Sequence, residues 1–131
     1  MGTWGLQFDE NDSAADWLGD FAEAPSWSRV HEAFNSASMD SGAYIEVDEC
    51  TGAIAAAEVL AAGLGKPSSR LDSAVAEWAI GHPEDANELK IQAQRTVLYL
   101  QDNGELSELW HEGGEHAEWL STIEDLLARL Q

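Results

Sequence analysis

The chain has 131 residues and a mass of 14.2 kDa, with 25 acidic against 6 basic residues and a formal net charge of −19. That length points to one domain, 1–131, large enough to bury a core without a disulfide framework. A globule of this mass exposes on the order of 6,800 Å², or one net negative charge per ~360 Å², which excludes sequence-general binding to nucleic acid or anionic lipid. Disorder is excluded too, because 44% of the residues are hydrophobic and six are Trp.

The opening Met1 to Phe8 is too Gly-rich for a helix and too aromatic for a loose tail, so Trp4 and Phe8 are expected to pin it to the core. A first helix is predicted from Asp12 or Ser13, either of which can cap it. Ala14, Trp17, Leu18 and Phe21 then form one buried face, and Pro25 ends the helix. Ser26 caps a second helix carrying Val30, Ala33, Phe34 and Ala37. The run Ser36 to Gly42 reads as a turn, and Tyr44-Ile45-Glu46-Val47 as a very short extended piece.

A third helix starts at Asp48 and runs to Leu64, with an Ala-rich body, Gly65 as left-handed cap and Pro67 beyond. Its alanines predict close approach of neighbouring helices. A fourth opens on the capping box Ser69-x-x-Asp72, buries Leu71, Val75, Trp78 and Ala79, and stops at Gly81. Pro83 starts a fifth with Leu89, Ala93, Val97, Leu98 and Leu100, ending at Asn103-Gly104. Glu105 to Trp110 reads as a short helix broken by Gly113-Gly114. The last aligns His116, Trp119, Leu120, Ile123, Leu127 and Leu130. No long alternating stretch competes. The expectation is an all-α bundle of about six helices with an ordered, non-helical N-terminal segment.

The first twenty residues hold no Lys or Arg and no unbroken apolar stretch, so no secretory signal is expected. The longest apolar run, Ala53 to Ala57, is too short to span a bilayer. A cytoplasmic location is therefore expected. Cys50 stands alone, which leaves no internal disulfide; Asp48 and Glu49 beside it disfavour a thiolate, so it reads as a buried structural thiol.

His111-Glu112-Gly113-Gly114-Glu115-His116 is the first place to look for a metal. The zincin pattern sets two histidines four apart on one helical face, whereas five residues put them about 140° apart on an ideal helix. Gly113-Gly114 also interrupts the helix, and no third ligand is indicated, so a solvated corner is expected and no metal or cofactor is assigned. His31 and His82 are isolated. Glu46, Asp48 and Glu49 lack the ligand alternation of a calcium loop. No nucleophile elbow, phosphate-cradling loop or Ser/His/Asp set is present, so no catalytic residue is assigned.

The acidic stripe says more. At about 100° per residue, Asp12, Asp16, Asp20 and Glu23 fall on one face, opposite Ala14, Trp17, Leu18 and Phe21. The pairs 12/16 and 16/20 repel by about 0.2–0.5 kcal/mol each, and Asp20 and Glu23 oppose the helix dipole. Helix stability does not explain such a face. Solubility explains it in part; a docking face for a basic partner explains the clustering, with Asp9 and Glu10 extending the field. Trp27 reads either as an aromatic anchor beside that face or as core.

Several blocks together resemble a known family. They are Met1-Gly2-Thr3-Trp4-Gly5 with Phe8-Asp9-Glu10-Asn11-Asp12 and Ala15-Asp16-Trp17, the stretch Ala55 to Gly65, Leu106-Ser107-Glu108-Leu109-Trp110, and Glu118-Trp119-Leu120 with Leu126 to Leu130. In this order they are similar to the bacterial domain of unknown function 4259 across essentially the whole chain; Leu6-Gln7 departs from its more Gly-rich opening. The resemblance implies a compact helical bacterial protein and brings no enzymatic role. Small acidic proteins of this kind are often immunity proteins encoded beside antibacterial toxins.

The leading expectation is thus a non-enzymatic immunity protein that binds a cationic toxin or effector, in the first place a nuclease. Asp9, Glu10, Asp12, Asp16, Asp20, Glu23 and Trp27 form its partner-binding set. The alternatives are a small metal-dependent hydrolase using His111, Glu112, Glu115 and His116, and a generic acidic adaptor or homodimer.

Overall fold

The Ala-rich helix has no polar face to show to water, and the rest of the chain wraps it. In the computed structural model, which describes residues 5–38 and 44–131, the elements are α1 (Asp12–Glu23), α2 (Trp27–Ser36), α3 (Val47–Gly63), α4 (Ser73–Ile80), α5 (Pro83–Leu100), α6 (Glu105–Gly113) and α7 (His116–Arg129). Every residue of α3 from Cys50 to Gly63 is buried, and α3 touches all six other helices. Small side chains make this possible. A Cβ on Gly63 would stand 2.8 Å from both Trp27 Cη2 and Ala86 Cβ, so α2 and α5 approach α3 more closely than an alanine would allow. Around that axis, fully buried Phe21, Phe34, Leu60, Leu100, Leu126 and Leu130 each contribute about 1.5–3 kcal/mol of apolar burial.

The end of α3 follows its sequence signals. Gly65 adopts φ +86°, the Lys66 N–H donates to the Ala61 carbonyl at 2.9 Å, and the Gly65 N–H donates to that of Ala62 at 2.9 Å. Its start is set from a distance. Glu46 gives no side-chain cap; instead Glu105, the first residue of α6, accepts the Val47 N–H at 2.8 Å. The Glu105 N–H in turn donates to the Ile45 carbonyl at 2.9 Å.

Several sequence expectations are corrected. The described residues form seven α-helices where about six were expected, and the short one from Glu105 runs on through Gly113 and breaks only at Gly114, φ +77°. They contain no strand: Tyr44-Ile45-Glu46 is non-helical without a ladder, and Val47 already belongs to α3. Asn11, rather than Asp12 or Ser13, caps α1 by accepting the Ala14 N–H at 2.8 Å. Asp72 is itself the cap of α4, accepting the Val75 N–H at 3.3 Å, and Ser69 lies outside that helix. Leu98 is 54% exposed rather than core, while Leu126 joins Trp119, Ile123 and Leu130 in the buried stripe that ends the chain. Phe8 packs into the core as expected; Trp4 and the turn residues 39–42 lie outside the described residues. Among the described residues, no helix is long and apolar enough to cross a membrane.

Candidate functional site

The amphipathic pattern of α1 presses Ala14 and Phe21 onto α3 and leaves Asp12, Asp16, Asp20 and Glu23 exposed on the opposite side. Among the described residues, no Lys, Arg or His forms an ion pair with any of these four carboxylates. Arg29 comes nearest in role. Its Nη1 donates to the Asp20 backbone carbonyl at 3.0 Å, where a cation favours the C-terminal end of the helix dipole. A groove of about 390 Å³ runs alongside, between α1 and α2, lined by Trp17, Asp20, Phe21, Arg29, Glu32 and Ala33 among others. Trp17 stacks on Phe21 with ring centroids 5.2 Å apart and is half-buried there.

The other members of the sequence-derived set fare differently. Asp9 and Glu10 are met by Arg70, whose Nε lies 2.7 Å from Asp9 Oδ1 and whose Nη2 lies 3.7 Å from Glu10 Oε2. Arg70 is sixty-odd residues away in sequence, so the stretch Asp9 to Glu23, which contains no Lys or Arg, has a cation beside it in space. Trp27 is core: it is 7% exposed, its Nε1 donates to the His82 carbonyl at 3.1 Å, and its ring sits 5.0 Å from that of Trp78. It is therefore no exposed anchor, and Trp17 is the aromatic residue that borders the acidic face.

A second concave feature, a cavity of about 270 Å³, lies between the N-terminal loop, α3, α6 and α7. Glu58 stands in its wall, 4% exposed, with both oxygens held by Arg129 at 2.8 and 3.1 Å; Arg129 Nε also meets Asp125 at 2.9 Å. Burial pushes the Glu58 carboxyl up, outweighing the pull of Arg129 in the other direction. Burial works to lower the Arg129 value, but Glu58 and Asp125 together hold it above the usual one. With both oxygens paired, Glu58 has no lone acid or base function to offer a ligand. Its role is to tie the end of α7 to the middle of α3.

α6 turns into α7 through Gly114, and the turn folds His111 onto His116 with ring centroids 3.5 Å apart. Helical spacing had set them on different faces; the left-handed glycine brings them together. His116 Nε2 lies 3.0 Å from the Gln101 carbonyl and 3.1 Å from Ser107 Oγ. Asp102, in the turn after α5, completes a group of three whose ligand atoms lie within 4.8 Å of one another. Neither Glu112 nor Glu115 belongs to that group. Asp102 carries no sequence signal for this placement, because its approach depends on how α5 enters α6. Nearby, Glu108 accepts the Tyr44 hydroxyl at 2.8 Å, and that bond pushes the phenol up to about 12. Cys50 is wholly buried and its thiol is pushed up to about 11, chiefly by burial, which makes it the inert structural thiol expected.

A family model described as a domain of unknown function (DUF4259) matches residues 2–122. Comparison with curated proteins and with solved structures finds no match.

Proposed function

The chain belongs to the DUF4259 family, and we propose that it is an immunity protein, an inhibitory binding protein that neutralises a cationic effector through the exposed face of α1. The observation that carries this reading is the set Asp12, Asp16, Asp20 and Glu23, exposed and without an ion-pair partner among the described residues. The helix dipole favours Asp12 in the first turn of α1 but not Asp20 and Glu23 at its C-terminal end. The repulsions along the helix work mildly against folding.

A nuclease displays basic residues where phosphate binds, so a rigid row of carboxylates can occupy that surface in place of the nucleic acid backbone. Charge of this sign and density speeds encounter, and apolar contact then slows release. Half-buried Trp17, at the edge of the groove, offers the aromatic contact that buried Trp27 does not. Asp9 and Glu10 play a lesser part, because Arg70 cancels much of their field.

The test is association with the product of the adjacent gene, measured at two salt concentrations. An association rate that falls at least about tenfold from low to high salt is expected, with a similar fall for the double variant D16K/D20K. No complex, or one indifferent to that variant, would sink the reading.

A further inference from the structure

We propose that Asp102, His111 and His116 form a binding site for a first-row divalent transition metal of the zinc class. The donor set is two imidazoles and one carboxylate, a combination that suits Zn²⁺, Co²⁺ or Ni²⁺ and leaves at least one position open for water. Two features of the corner support it. Asp102 and His111 are exposed, and neither has a hydrogen-bond or ion-pair partner among the described residues, so both are free to turn toward a cation.

His116 is held differently. Its Nε2 faces the Gln101 carbonyl, which can only accept, so the neutral ring carries its proton there and its lone pair on Nδ1. A backbone carbonyl on the far nitrogen is the arrangement that orients metal-ligating histidines in general. The ring is fixed further by Ser107 and by Trp119, 5.6 Å from its centroid. One rigid ligand and two adaptable ones thus meet at the junction of α5, α6 and α7.

The site is not yet closed to metal distances. Ligand atoms around a tetrahedral Zn²⁺ stand about 3.3–3.5 Å apart, given bonds near 2.0–2.1 Å. The present limit of 4.8 Å therefore has to shorten by roughly 1.4 Å. The stacked rings must also splay, because an imidazole lone pair lies in the ring plane and parallel planes do not converge on one ion. Rotation of exposed His111 and Asp102 supplies both movements while His116 stays on Gln101. A bound ion then clamps the turn after α5 to the α6–α7 hairpin, and because it binds the folded chain it raises the melting temperature.

The experiment is calorimetric titration of the full, tag-free chain with ZnCl₂ alone, backed by thermal melting. One equivalent is expected, with affinity lowered about tenfold or more in H111A and D102N and unchanged within about twofold in E112Q. H111A changes an exposed ring and is expected to retain the wild-type helical circular dichroism. Excess Mg²⁺ or Ca²⁺ is expected not to displace the ion, since hard cations favour all-oxygen sites. The proposal is overturned if the wild type takes up no Zn²⁺ saturably, if H111A and D102N bind it like the wild type, or if Mg²⁺ competes equally. None of these outcomes bears on the α1 face.

Discussion

The α1 face and the corner between α5 and α7 are built from the same kind of residue, yet the fold engages them differently. At the corner, Glu105 caps the first N–H of α3, Glu108 holds the Tyr44 hydroxyl, and Asp102 stands beside two stacked histidines. Each is near a group of the same molecule that a carboxylate can satisfy. On α1 the four carboxylates accept no such bond among the described residues and point to solvent. A net charge of −19 is therefore not one property spread over a surface. Carboxylates tied inward contribute to the fold, and those left untied are the ones a partner can use.

The largest effect is expected where an inward carboxylate is also buried. Arg129→Ala leaves the buried Glu58 carboxyl without its partner and should cost about 3–5 kcal/mol, a large share of the stability of a small domain. Replacing both partners, as in E58L/R129M, should recover most of that loss. Denaturant titration of the three proteins checks both statements.

Acidity offers a second measurement on the same group. Because the folded-state Glu58 value lies above its ordinary 4.5, the folded chain binds this proton where the unfolded chain has lost it. In the window between 4.5 and the raised value, the stability contributed by Glu58 therefore falls as pH rises. Wild-type stability relative to E58Q should decline through that window. A constant difference would remove the case for burial as the dominant influence.

Glu105→Ala should be smaller, at about 1–2 kcal/mol, through loss of a charge-assisted cap on α3. Glu105→Gln keeps an acceptor and should cost less than half of that. If both variants are neutral in urea unfolding, the corner carboxylates are no more structural than those of α1.

The smallest effect on folding, and of opposite sign, belongs to the outward face. Asp16→Lys removes two repulsive pairs on α1 and should stabilise the chain by about 0.4–1 kcal/mol. The same change should damage association with a basic effector, so stability and binding move apart at this position. A loss of stability instead would mean that Asp16 has an inward role.

Periodicity and cap chemistry were enough to place most of the helices, because they act over a few residues. Ser26 before α2, Gly65 after α3 and Pro83 at the start of α5 do in the structure what their types imply. The acidic stripe was readable for the same reason: four residues on one helix share a face whatever that helix packs against. Trp27 shows where this reasoning stops. Its place at a helix start suits surface or core equally, and only Gly63, Ala86 and Trp78 around it settle the matter.

What local chemistry established, then, was an all-helical chain with an Ala-rich helix that neighbours can approach closely and one strongly acidic face, since turns, caps and helical faces are written in neighbouring residues. Which carboxylates find partners was settled by long-range packing. Arg70 reaches Asp9, Arg129 reaches Glu58, and Glu105 reaches Val47 across separations that no periodicity encodes. Long-range packing also sets Asp102 beside His111 and His116, with no hydrogen bond to either ring. A charge falls off with distance in space and not along the chain, so its role follows from the fold that brings its neighbours near.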